Sequence, residues 1–167
     1  MIRTGRFLRH TLLALCVLAA SQWALADASL DTPLKDLQGK PQKLSQYSGK
    51  QPLVINFWAS WCGPCRQETP DLVKLEQSYH GKVQFVGVAI DEPAPVAQFA
   101  KQYKVTYPIL LGSGDALELM TKLGNNAGAL PFTVVIDTKG NVVVKDLGQV
   151  KPAEMKKTLD GLLGKKG

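Results

Sequence analysis

Trp61-Cys62-Gly63-Pro64-Cys65 holds the two side chains whose type and spacing could do chemistry in this chain, a pair of thiols two residues apart. Four readings of such a pair compete. A structural disulfide here would close almost the shortest loop a bridge can span, worth roughly 2 kcal/mol in the loop-entropy picture against about 3 for a fifteen-residue loop. A structural zinc site wants four ligands, and downstream of residue 26 the sequence adds only His80 to the two thiols. The same shortage counts against a copper(I) chaperone, although copper(I) manages with fewer soft ligands. Thiol–disulfide exchange needs only the two sulfurs, one to attack and one to resolve, and is the reading the spacing favours.

The elements that must position the pair can be read on either side of it. Leu53-Val54-Ile55-Asn56-Phe57-Trp58-Ala59 is an almost unbroken apolar run, as expected of a central strand buried on both faces. Helical spacing begins after Gly63, with Leu72, Leu75 and Tyr79 on one face. Cys62 therefore falls at a strand-to-helix turn, where unpaired backbone N–H groups and the helix dipole favour a thiolate. Cys65, one helical turn further on, should face the same sulfur and be less exposed. Pro64 suits a helix start, where its missing N–H costs nothing, and Pro70 is expected to kink the helix.

Further along, Leu34 to Leu44 with Gly39-Lys40 between reads as a hairpin, and Val83 to Ile90 as a second buried strand. Val96, Phe99, Ala100 and Tyr103, then Ala116, Leu119, Met120 and Leu123, repeat the spacing of amphipathic helices, separated by a short strand at Tyr107–Leu111. Phe132 to Ile136 and Val142 to Leu147 flank a Lys139-Gly140-Asn141 turn, and a last helix begins near Pro152 and buries Met155, Leu159 and Leu162. The expected fold is α/β, a mixed central sheet with helices on both faces.

Arg3, Arg6 and Arg9 precede the apolar run Thr11–Ala20, and Ala24-Leu25-Ala26 follows. That is the layout of a signal peptide cleaved after Ala26, and the run is too short to span a bilayer core of roughly 20 residues. An uncleaved tether to the inner membrane is the other reading. Cys16 is a poor lipid-attachment site because Leu15, not a small residue, precedes it. Removing 26 of the 167 residues leaves 141, a single domain over 27–167. Three arginines and no acidic residue leave with the leader, so the net charge falls from +6 to +3. With its lysines scattered, a chain so weakly charged gives no reason to expect a nucleic-acid partner. The composition is that of an ordinary globular domain, not of a disordered, collagenous or disulfide-dense chain.

Asn56-Phe57-Trp58-Ala59-Ser60-Trp61-Cys62-Gly63-Pro64-Cys65, with Pro70 five residues later, resembles the thioredoxin superfamily. The exported start and the segment 91–111, an inserted strand and helix unit, narrow the resemblance to TlpA-like and ResA-like periplasmic thiol–disulfide oxidoreductases, over roughly residues 30–163. The resemblance implies that Cys62 attacks and Cys65 resolves. It also implies that Ala129-Leu130-Pro131 is the loop whose proline is cis and lies beside the redox pair, with the main chain of Leu130 pairing with an extended client segment. Trp61, Gly63 and Pro64 would complete the docking surface, Trp61 lying over the turn while Trp58 faces the core. Phe132 stands where a polar residue is often found and is expected to make the groove more apolar.

Thioredoxin carries a buried aspartate where this chain has Asn56, which cannot ionise. The resemblance implies a carboxylate from the start of the inserted unit instead, Asp91 or Glu92, and Glu92 is taken as the candidate. The neutral Gly63-Pro64 pair matches thioredoxin and implies a reductase recharged by a membrane electron donor of the DsbD or CcdA type. Its clients would be disulfide-bearing proteins, such as apocytochrome c or a copper-site protein. No organic cofactor and no metal is implied, and a monomer is expected. A thiol peroxidase is the remaining alternative, suggested by the N-terminal hairpin. It is disfavoured because tryptophan and serine occupy the upstream positions where a threonine and a proline would be expected.

Overall fold

The computed structural model describes residues 30–164. The leader, Cys16 and the extreme C-terminal lysines lie outside the described residues. The chain runs through strands β1 (Leu34–Asp36), β2 (Pro41–Gln42), β3 (Leu53–Trp58), β4 (Gln84–Ala89), β5 (Ile109–Leu111), β6 (Phe132–Ile136) and β7 (Val142–Leu147). Among the described residues, four α-helices lie between and after them: α1 (Gly63–Ser78), α2 (Pro93–Tyr103), α3 (Gly114–Lys122) and α4 (Pro152–Leu162). The strands form one sheet in the order β2-β1-β5-β4-β3-β6-β7.

β3 is interior because every one of its residues is apolar or, at Asn56, internally bonded, and all six are buried. It pairs in parallel with β4 and antiparallel with β6, so Asn56 faces Gly87 on one side and Thr133 on the other. The alternation of the strand then divides the core. Leu53, Ile55 and Phe57 pack with Ala116, Leu119 and Met120 of α3 on one face. Val54 packs on the opposite face with Leu72 and Leu75 of α1 and with Met155 and Leu159 of α4. Each such side chain taken fully out of water contributes about 1.5–3 kcal/mol, so the strand that carries the redox turn is held from both sides.

At the C-terminal end of β3, Trp58 and Ala59 join Cys62 and Cys65 in a third cluster with Val96 and Phe99 of α2. Trp58 is 3% exposed, facing the interior as its place in the strand suggests. Its indole ring also explains Gly87. A Cβ there would come within 2.8 Å of Trp58 Nε1 and 3.3 Å of Tyr107, so the β4 backbone can pass the indole only without a side chain.

The edges are built from turns. Asp137 Oδ1 accepts the N–H groups of Lys139 and Asn141, and Gly140 takes φ 86°, closing the β6–β7 hairpin. β1 and β2 form the N-terminal hairpin, which reaches the main sheet through β5. A 3-10 turn at Leu44–Tyr47, which the sequence pattern does not announce, buries Leu44. Pro70 lies inside α1, where it deprives the helix of the N–H that would otherwise reach the carbonyl of Arg66.

Candidate active site

The apolar run of β3 delivers the chain to Ser60-Trp61 at the sheet edge, and α1 starts immediately after. Cys62 is its N-cap, with Pro64 in the first turn. The two cysteines are joined by a disulfide, with Cα atoms 5.3 Å apart. Sγ of Cys62 accepts the backbone N–H of Cys65 at 3.3 Å, so one of the unpaired donors of the helix start points at that sulfur. Cys62 is 6% exposed and Cys65 fully buried. Cys62 is therefore the sulfur a partner can meet, and Cys65 stands behind it, as the spacing suggests. Trp61, 69% exposed, projects beside them, and Gly63 and Pro64 are exposed on the helix tip.

The Leu130–Pro131 peptide is cis, in agreement with the resemblance. Pro131 is buried, and Leu130 is half-buried against the clusters that hold Phe132 and the cysteines. Pairing of β3 with β6 begins at Phe57 and Phe132, so Leu130 lies outside the ladder. Asn125 Nδ2 donates to the carbonyl of Ala129 at 2.8 Å, and Gly148 N–H donates to that of Pro131 at 2.9 Å. Phe132 corrects an expectation. It is 2% exposed and stacks on Phe57 with ring centroids 5.8 Å apart, so it belongs to the core and not to a docking groove. The reason is the pleat, which turns Phe132 to the face where Phe57 needs a partner.

The carboxylates are arranged differently from the expectation built on Asp91 and Glu92. Glu92 is the N-cap of α2, exposed, and its side chain makes no capping bond. Asp91 instead turns to the redox turn, where its Oδ2 accepts Ser60 N–H at 3.0 Å and Ser60 Oγ–H at 2.5 Å. Burial pushes the Asp91 carboxyl up, but the hydrogen bonds from Ser60 and Glu92 outweigh it and hold the group below the ordinary range.

Glu68, which the sequence reading passed over, is the buried carboxyl. It lies on α1 one turn past Cys65 and is 3% exposed. Oε1 accepts from Asn56 Nδ2 at 2.8 Å and Oε2 from Val150 N–H at 2.8 Å, while Asn56 also donates to Thr133 Oγ1 at 3.0 Å. Burial raises the Glu68 carboxyl above its ordinary 4.5, with the two hydrogen bonds opposing but not cancelling the shift. Burial and the charges of Glu68 and Glu76 likewise push up the Tyr107 phenol. One signal could have found Glu68: three residues past Cys65 is the same face of a helix. Gln149 was also missed; its Nε2 donates to Pro64 O at 3.2 Å and Gln67 Oε1 at 2.7 Å, tying the β7–α4 loop to the helix tip.

A pair of sulfurs with one reachable member, a helix start aimed at it and a second sulfur behind it is suited to accepting and returning electrons through disulfide exchange. Among the described residues, no three His, Cys, Asp or Glu side chains gather into a group that could hold a metal ion. Comparison with known proteins points the same way. The Redoxin family profile matches residues 22–163. The chain is 36% identical over 138 residues to thioredoxin-like protein YneN of Bacillus subtilis, covering 78% of this chain and 75% of that one. It is 31% identical over 141 residues to the thiol–disulfide oxidoreductase ResA of Geobacillus thermodenitrificans, covering 83% and 78%. A thioredoxin-related protein from Neisseria meningitidis serogroup B superposes with a TM-score of 0.69 at 34% identity, over 79% of this chain and 99% of that structure. The chain thus belongs to the Redoxin family, as a ResA-like member of the thioredoxin superfamily that performs thiol–disulfide interchange through Cys62 and Cys65.

Proposed function

We propose that this protein is an exported, periplasmic protein-disulfide reductase. The observation that carries the reading is the setting of Cys62 Sγ: the start of α1 donates the Cys65 N–H to it, and the neutral Gly63-Pro64 pair adds no charge. A neutral dipeptide leaves the thiolate stabilised by the helix alone, which keeps the dithiol reducing. For scale, about −270 mV for thioredoxin and about −120 mV for DsbA are separated by roughly 7 kcal/mol over two electrons.

In the cycle, the Cys62 thiolate attacks one sulfur of a client disulfide, forming a mixed disulfide and expelling the client's other sulfur as a thiolate. The Cys65 thiolate then attacks Cys62 Sγ, releasing the second client sulfur and closing the Cys62–Cys65 bridge. Two electrons pass from the pair to the client. Glu68, buried one turn beyond Cys65 and raised by burial, is the carboxyl suited to take the Cys65 proton, a role that exposed Glu92 is less suited to fill. Trp61, Gly63 and Pro64, with the Leu130 main chain beside cis Pro131, form the client surface. A membrane dithiol donor of the DsbD or CcdA type restores the reduced pair, and the clients are proteins with oxidised cysteine pairs, as in cytochrome c maturation or copper-site assembly.

Equilibration with glutathione buffers tests the direction. A potential near that of thioredoxin, about −270 mV, is expected, and one near −120 mV would make the protein an oxidant. A Cys65→Ala variant in the native envelope should retain clients on Cys62 as mixed disulfides and so identify them.

A further inference from the structure

Ser60 is the last residue before Trp61-Cys62, and each of its polar groups is held. Its N–H and its Oγ–H both donate to Asp91 Oδ2, at 3.0 and 2.5 Å. Its carbonyl accepts from Arg66 Nη1 at 3.2 Å. The two partners are themselves fixed. The other oxygen of Asp91 accepts Glu92 N–H at 2.8 Å, at the start of α2. The Arg66 guanidinium lies 5.9 Å from the Phe99 ring centroid and 5.8 Å from that of Tyr103, both on α2. Both arms of the grip therefore run to one helix, and they meet where the chain passes from fully buried Ala59 to exposed Trp61.

We propose that Ser60, Asp91 and Arg66 are positioning residues: a clamp anchored on α2 that fixes the direction of the chain entering the redox turn, so that Cys62 Sγ sits in line with the Cys65 N–H. The clamp acts through Ser60 and touches no reacting atom. On its entering side the turn is otherwise held by one bond, Cys62 N–H to Ala59 O at 3.2 Å, while Gln149 and the first bonds of α1 hold the side that follows, where Gly63 and Pro64 are exposed. A turn free to swing would lose the alignment of one helix-start donor with the sulfur, and with it part of the thiolate's stabilisation. This assignment rests on the reading above in taking Cys62 as the attacking sulfur.

The test measures alkylation of Cys62 by iodoacetamide at neutral pH in the reduced full chain, followed by mass spectrometry of the Cys62 peptide. Asp91→Ala, which removes the acceptor for both Ser60 donors, should slow the reaction roughly tenfold, the scale of a lost charge-assisted hydrogen bond. Ser60→Ala, which loses only the hydroxyl bond, should slow it about threefold. Ser60→Thr restores the hydroxyl and Asp91→Asn keeps an acceptor oxygen, so each should stay within about twofold of the natural protein.

An Asp91→Asn rate as low as that of Asp91→Ala would overturn the clamp, because it would make the charge and not the position responsible. So would natural rates in both alanine variants. Should Asp91→Ala fail to fold, Ser60→Ala against Ser60→Thr decides. Insulin reduction by the natural protein is measured alongside. Its failure would remove the reductase reading while leaving the alkylation comparison to judge the clamp.

Discussion

Beneath the redox turn, Glu68 is 3% exposed, bonded to Asn56 and Val150, and raised by burial; beside the turn, partly buried Asp91 binds Ser60 and Glu92 and is lowered by those bonds. The same functional group is pushed in opposite directions within one short stretch of structure. The interior site has two donors but little water, so desolvation wins there and the neutral form gains. The rim site has three donors and partial access to water, so the ionised form gains. A carboxyl that is reluctant to ionise is suited to exchanging a proton with a thiol. One held as an anion is suited to gripping N–H and O–H groups. On the two proposals above, the regions divide the labour accordingly: chemistry below, geometry beside.

The largest effect should come from breaking the interior site. Glu68→Ala leaves Val150 N–H and one Asn56 N–H facing an empty space, costing about 1–3 kcal/mol for each orphaned donor, read as a lower urea midpoint. Glu68→Gln is the sharper variant. Because the folded carboxyl is raised above 4.5, folding takes up a proton, so its contribution is fully present below 4.5 and is lost as pH rises through the folded value. Urea titrations of Glu68→Gln should lack that decline, and its thiol-exchange profile should shift with pH. Glu92→Gln should alter neither, and a shifted profile there would return the proton role to Glu92.

Asp91 should give the smallest effect, with the opposite sign. Its folded carboxyl is depressed, so its contribution is present above 3.8 and is lost as pH falls through the folded value. Asp91→Asn should therefore flatten the acid limb of the stability curve, lowering neutral stability by the small amount the natural protein loses on acidification. A decline toward alkaline pH that disappears in Asp91→Asn instead of Glu68→Gln would reverse the comparison.

Much of this was legible in the residues. The apolar run 53–59 had to be a strand covered on both faces, and Cys62 had to fall where it met a helix. Lys139-Gly140-Asn141 marked a hairpin turn, and Gly140 takes positive φ there. Pairing across the sheet was not legible, because placing β5 between β1 and β4 depends on contacts far apart in sequence. The buried carboxyl, Glu68, was passed over for a related reason. A charged residue on a helix gives little sign of burial beyond its spacing from Cys65, and the approach of Asn56 and the Val150 loop is what makes Glu68 interior. Phe132 was misassigned because its neighbour across the sheet, Phe57, could not be known before the register was.

The most direct test of the account is the thiolate pKa of Cys62 in the reduced protein, taken from its alkylation rate across pH. If the start of α1 activates this sulfur, the value falls clearly below the roughly 8.5 of free cysteine. A value at or above that figure would mean that the helix start confers nothing on Cys62, and the proposed mechanism would lose its first step.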